Sequence, residues 1–121
     1  MDPVPHRRAN ASRAGYLTAW TLGANAVGLF EDVSMGAERS VQVTGAFGTA
    51  IVIIEGSNDG ETFHPLTNPD GLTLSFRRPD LSAIREYCRY LRPRTSQPAS
   101  HPAMPQEDAL ITVTLMIRVE R

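Results

Sequence analysis

Five apolar residues in a row, Ala50-Ile51-Val52-Ile53-Ile54, sit near the middle of this 121-residue chain and limit what it can become. A run that short and that rich in β-branched residues is a strand, and a strand apolar at every position needs cover on both faces. Its flanks agree. Upstream, Val41 and Val43 alternate with Gln42 and Thr44, the period of a strand with one wet side. Downstream, Gly56-Ser57-Asn58-Asp59-Gly60 gathers residues that accept positive φ or bond back to their own backbone, so the chain reverses there before Phe63 and Leu66. The expectation is an antiparallel β domain. Its two-sided strand assigns Val52 and Ile54 to a second-face contact, with another copy or another protein.

The rest of the chain can be placed around that stretch. Residues 16–22 (YLTAWTL) read as a first strand ended by Gly23-Ala24-Asn25, and residues 26–33 as a short second one. Asn68-Pro69-Asp70-Gly71 is a turn that predicts a hairpin between residues 61–66 and 72–76. Asp80 offers an N-cap ahead of Leu81 and Ile84, so residues 80–86 are expected to form the single short helix. Residues 87–94 return to strand, with Pro93 placing its end at an edge or beside a bulge. At the C-terminal end Ile111, Val113, Leu115, Ile117 and Val119 share one face of a long strand expected at the centre of a sheet. Strands this closely spaced, with turns between them, make a sandwich or barrel. Residues 1–15, polar and basic, are expected to be an arm outside the domain of residues 16–121. Residues 96–108, with three prolines, are expected to be an inserted extended loop.

Charge and chemistry narrow the function. Twelve basic against 13 acidic residues leave a formal charge of -1, so the chain has no bulk attraction for nucleic acid or an anionic membrane. No apolar run reaches membrane-spanning length and no signal-peptide pattern opens the chain, which predicts a protein made and kept in soluble form. Cys88 is alone, so no disulfide closes within the chain. His6, His64 and His101 lack the spacing of a zinc site, and residues 58–61 read as a turn ahead of a weak calcium site. There is no phosphate-cradling loop and no serine elbow. No catalytic residue, cofactor or metal is therefore expected. All the basic residues are arginines, a side chain suited to protein interfaces. Arg7, Arg8 and Arg13 on the arm, and Arg89, Tyr90, Arg92 and Arg94 on the strand near Pro93, are the expected contacts to an acidic partner, removable without harm to the fold.

The run RSVQVTGAFGTAIVIIEGSNDGETFHPL, followed by NPDG, LTLSF, EYCRYLRPR and TVTLMIRVER, resembles small structural proteins of tailed bacteriophages, notably capsid decoration or cement proteins. The most recognisable pieces are the Gly56–Gly60 turn with Phe63 three residues on, and the Arg89-to-Pro93 strand. The resemblance implies an all-β, jelly-roll-like antiparallel β-sandwich without an active site. It implies a dimer or trimer on the outer surface of the virion, synthesised in the bacterial cytoplasm and bridging subunits of the major capsid protein. A galactose-binding-like carbohydrate or host-adhesion module of the tail shares part of the pattern, although Trp20 is the only tryptophan available as a platform. A head-to-tail connector or completion protein is the third reading.

Overall fold

The computed structural model describes residues 3–12, 15–36, 38–97 and 109–118, and its strands form two antiparallel sheets with the core between them. One sheet runs in the order β1 (Arg7–Ser12), β2 (Gly15–Leu22), β10 (Leu110–Arg118), β4 (Glu38–Ala46), β8 (Asp80–Ala83). The other runs β3 (Glu31–Asp32), β9 (Tyr90–Ser96), β5 (Ile51–Ser57), with β6 (His64–Pro65) and β7 (Ser75–Phe76) both on the outer edge of β5. From β2 to β5, and again from β7 to β10, each connection carries the chain to the opposite sheet. The all-β sandwich expected from the sequence is what the residues form.

β10 shows most directly how sequence becomes layer. Ile111, Val113, Leu115 and Ile117 are fully buried, while the residues between them face outward. Pairing on both sides, Val113 with Trp20 of β2 and with Val43 of β4, puts this strand at the middle of its sheet. Residue 119 of the expected stripe lies outside the described residues, as do residues 98–108 of the proline-rich segment.

β5 departs from the expectation in an instructive way. Val52 and Ile54 are fully buried against the opposite sheet, so neither can be a contact for another molecule. Their assignment to a second-face contact is corrected by strand parity, because it is Ile51 and Ile53 that point away from the core, and both are half-covered. On the outer side Ser75 of β7 lies beside Ile53, while Phe76, opposite Val52, joins the core.

The expected hairpin is also rearranged. β6 pairs with Glu55 and Gly56, and β7 with Val52 and Ile53, so the two short strands extend one interrupted edge along β5. Residues 67–73 loop out of that edge, closed by the Thr67 to Thr73 bridge and by Asn68 N donating to Leu72 O at 2.8 Å. The turn was read correctly; the pairing partner is β5 because its ladder satisfies more backbone groups than a short hairpin could.

Residues 80–83 are strand β8, not helix, and Leu81 pairs with Gln42. Asp80 Oδ1 accepts from the next amide, Leu81 N, at 2.8 Å, which is not the reach of an N-cap. One or two helical turns are marginal alone, and the exposed edge of β4 offers a ready ladder. Pro93 lies inside the sheet, between β3 and β5, and not at its edge. Its carbonyl accepts from Gly28 N at 2.8 Å, so its missing N–H points toward residues 27–29, where only an isolated bridge between Val27 and Arg94 continues the pairing. Gly28 has to be glycine there, since a Cβ would fall 2.7 Å from the Pro93 ring. The same intrusion shortens the expected strand at residues 26–33 to Glu31–Asp32.

The segment expected to be a separate arm belongs to the sandwich. Val4 N donates to Val27 O and Leu29 N to Val4 O, both at 2.7 Å, and β1 then pairs with β2 from Arg7 opposite Ala19 onward. His6 packs its ring edge-on to Trp20 and places Nε2 3.3 Å from the carboxylate of Glu31, which is 3% exposed and also accepts from the Thr18 hydroxyl. Sequence composition missed this because one valine and one histidine do the anchoring. Deleting residues 1–12 should therefore lower the melting temperature by about 8 °C or more, since it uncovers Trp20 and removes the partner of a whole strand. Thermal denaturation followed by circular dichroism reads the change, and an unaltered midpoint would return the segment to the status of an arm.

Candidate functional site

Two surfaces gather the side chains that could serve a function, and the larger is the outer face of the β3-β9-β5 sheet. Alternation along β9 turns Leu91, Pro93 and Thr95 inward and sends Tyr90, Arg92 and Arg94 outward. The register sets Arg92 opposite Glu55, with Arg94 one pair along the same face. Both guanidinium groups reach that carboxylate, Arg92 Nε at 3.0 Å and Arg94 Nε at 3.1 Å. The side chain of Glu55 is 7% exposed, against 25% and 36% for Arg92 and Arg94, so this is a largely covered triad. Both arginines nominated for a partner are thus held by one internal carboxylate, which balances one of their two charges.

Around the triad the face is aromatic. Phe30 packs against Tyr90 with centroids 4.9 Å apart and against Phe63 at 5.8 Å. Arg92 lies over Phe63 at 3.9 Å and Arg89 over Tyr90 at 5.1 Å, distances at which the ring faces attract a cation. Arg89 is exposed and its Nε stands 3.6 Å from Asp32. The Ser34 hydroxyl and amide, followed by Arg89, hold the Asp32 carboxyl below its ordinary value. Sequence reasoning grouped Arg89, Tyr90, Arg92 and Arg94 correctly but omitted Glu55, Asp32, Phe30 and Phe63. The available signal was Glu55 itself, an acidic residue ending an apolar strand in a chain with a strand of alternating arginines.

The remaining nominated arginines do not join this face. Arg7 is exposed on β1, in the other sheet, and the backbone of Arg8 pairs with Thr18. Arg13 lies outside the described residues.

The second surface is an open cleft of about 550 Å³ lined in part by Ser57, Asp59, His64, Glu86, Tyr87 and Cys88. Its acidic groups are occupied by the fold. Asp59 Oδ1 accepts from Ser57 Oγ, Glu61 N and Thr62 N at 2.8, 2.8 and 2.9 Å. Those donors, the Thr62 and Glu61 amides foremost, bring its pKa down to about 2. The expected plain turn is thus tied by its own carboxylate. Burial works against ionisation of Glu86, but the hydroxyl and amide of Thr67 outweigh it and the pKa is lowered. Burial pushes the Cys88 thiol up, with Arg39 opposing weakly. A buried thiol with a raised pKa is a poor nucleophile. His6 lies just ahead of β1 and His64 in β6 of the other sheet, His101 lies outside the described residues, and no metal-binding group of side chains occurs among the described residues.

The Asp59 contacts give a pH prediction with a definite sign. Its folded-state pKa lies below the unfolded value of 3.8, so its contribution is complete above about pH 4 and fades as pH falls toward 2. Asp59→Asn should lower stability at neutral pH and leave a shallower loss between pH 4 and 2. Urea midpoints measured across that range check this, and parallel acid curves for the two proteins would refute it.

With this geometry in view, the sandwich can be compared with known proteins. The chain is similar in fold to the SPBc2 prophage-derived protein YomS. The TM-score is 0.56 at 10% identity, with 88% of this chain and 97% of that chain covered. Weaker likenesses are to a cupin domain from Bordetella pertussis Tohama I, at 12% identity and a TM-score of 0.46 over 100% of this chain and 99% of that one, and to protein NMB1881 from Neisseria meningitidis, at 9% identity and 0.41 over 99% and 88%. No protein-family model and no curated protein sequence matches the chain. At such identities the likeness to YomS is one of fold.

Proposed function

We propose that the chain is a non-enzymatic structural protein of a tailed-phage particle, a decoration protein that attaches to the outer surface of the head and bridges subunits of the major capsid protein. The observation that carries this reading is the β3-β9-β5 outer face. There, aromatic rings and planar guanidinium groups are held in fixed positions by an internal carboxylate, giving a contact surface whose ordering cost is met before a partner arrives. Tyr90, Phe30 and Arg89 lie at its accessible end and are the contact residues in this reading. The sequence resemblance to decoration proteins supports this assignment, and the fold-level likeness to a prophage-derived protein supports its coarser part, a phage protein. The acidic groups of the cleft are engaged in loop contacts, which fits a role in adhesion more than in catalysis.

Saturation binding to purified heads lacking this protein is the test. A decoration protein should saturate at hundreds of copies per head, with Arg89→Ala, which removes only an exposed ion pair, weakening attachment at least tenfold and leaving the melt unchanged. Saturation at about a dozen copies would replace the reading with a connector. Absence of head binding together with retention on a glycan array would replace it with a tail adhesion module.

A further inference from the structure

The two outer faces of this sandwich differ in a way the attachment reading does not use. One, just described, carries Arg89, Arg92, Arg94, Asp32 and Glu55. The other, the outer face of the β1-β2-β10-β4-β8 sheet, is almost without charge. Register places Leu17, Met116 and Ser40 side by side in one cross-strand row, and Ala19, Thr114 and Gln42 in the next. The row beyond is three threonines, Thr21, Thr112 and Thr44. Leu81 and Leu110, both well exposed, stand at its margins. The described charges on this face are Arg7, on the edge strand, and the Glu38 to Arg118 ion pair at 2.9 Å, at one end. A solvated sheet face ordinarily alternates its apolar inside with charged or strongly polar residues, and the other sheet of this same molecule does so.

We infer that this uncharged face is the contact between two copies of the chain, packed sheet to sheet about a two-fold axis. A second copy is the occupant because the surface complements itself: small and medium side chains of no net charge meet their equals without repulsion, and the same five-stranded face on each copy closes as an isologous pair. A charged partner of another kind would find only Arg7 and the Glu38 to Arg118 pair, at the margins, to meet. The area suffices. Strands about 4.8 Å apart and a central strand rising about 3.4 Å per residue give roughly 600 Å² per copy, or about 1,200 Å² in all, at the lower end for specific complexes. With no aromatic anchor or charge pair at its centre, the contact is expected to be weak, in the micromolar range. The pairing leaves the aromatic and arginine face outward on both copies, and it does not depend on the attachment reading.

Sedimentation equilibrium of the full chain, without any particle present, tests the pairing. The wild-type protein should move from 13.3 kDa to twice that mass across the micromolar range. Gln42→Arg puts an unpaired charge on the face from an already exposed position, so it should weaken association at least 30-fold with no change in the melt. Gln42→Glu should do the same, and an equimolar mixture of the two variants should recover the dimer, which a misfolded variant could not. A wild-type chain still monomeric at several hundred micromolar, or an undiminished Gln42→Arg dimer, would overturn the inference while leaving head attachment standing.

Discussion

Replacing Arg39 with alanine should remove about 3–5 kcal/mol of folding stability, as much as truncating a buried aromatic of the core. Arg39 lies on the inward face of β4, in line with Val41 and Val43, and is 4% exposed. It closes one end of the core as an apolar residue would, but with a guanidinium group each of whose three nitrogens donates. Nε donates to Gly36 O at 3.0 Å and Nη2 to Val33 O at 2.8 Å, while Nη1 reaches Glu86 O at 3.4 Å and Cys88 Sγ at 3.5 Å. Tyr87 lies over the group with its ring centroid 4.9 Å away. One side chain thus ties the connection between β3 and β4 to the connection between β8 and β9. Truncation takes the guanidinium donors from the Gly36 and Glu86 carbonyls, leaves Val33 O with the Gly36 amide at 3.3 Å, and opens a cavity where the stem had packed. Arg39→Lys should recover little, because a single ammonium cannot span the same fork. Urea denaturation gives the number, and a loss below about 1 kcal/mol for alanine would show the carbonyls to be satisfied without it.

Removing Arg92 and Arg94 together should cost about 2–4 kcal/mol, because Glu55 would keep its charge in a covered position with no cation beside it. Glu55→Gln in that background should restore most of the loss, since the charge leaves with its partners. In the wild-type background the same Glu55→Gln change should be milder, about 1–2 kcal/mol, as both guanidinium groups retain partial access to water. Chemical denaturation of the four proteins completes the cycle. Additive losses would mean that the triad is geometric coincidence. The result also bears on how attachment experiments are read: reduced binding by an Arg92 or Arg94 variant can reflect a disturbed sheet, whereas Arg89, exposed and paired to an exposed Asp32, reports on contact.

Much of this architecture was legible from alternation alone. Residues 111–117 on β10 and Val41 and Val43 on β4 declare their buried face by period two, and Gly56–Gly60 declares its turn by composition. What periodicity does not encode is which neighbour each strand finds. Val52 and Ile54 were read as available to a partner because a continuous apolar run carries no mark of which parity faces inward. Residues 80–83 have a helical start signal, yet the open edge of β4 decides their conformation. β1 was misassigned because its few apolar anchors, Val4 and His6, act through contacts with Val27 and Trp20 far along the chain. The candidate site was half legible: the arginines announce themselves, but that Glu55 binds two of them depends on a β5 to β9 register that no local pattern fixes.

The central claim, that the domain works by adhering to a head through one charged and aromatic face, is met most directly by a three-dimensional reconstruction of the assembled particle. The account predicts density of this sandwich on the exterior of the shell, across a junction between capsid subunits, with Phe30, Arg89 and Tyr90 at the contact. The same density confined to the tail, or seated on the shell with that face turned to solvent, would contradict it.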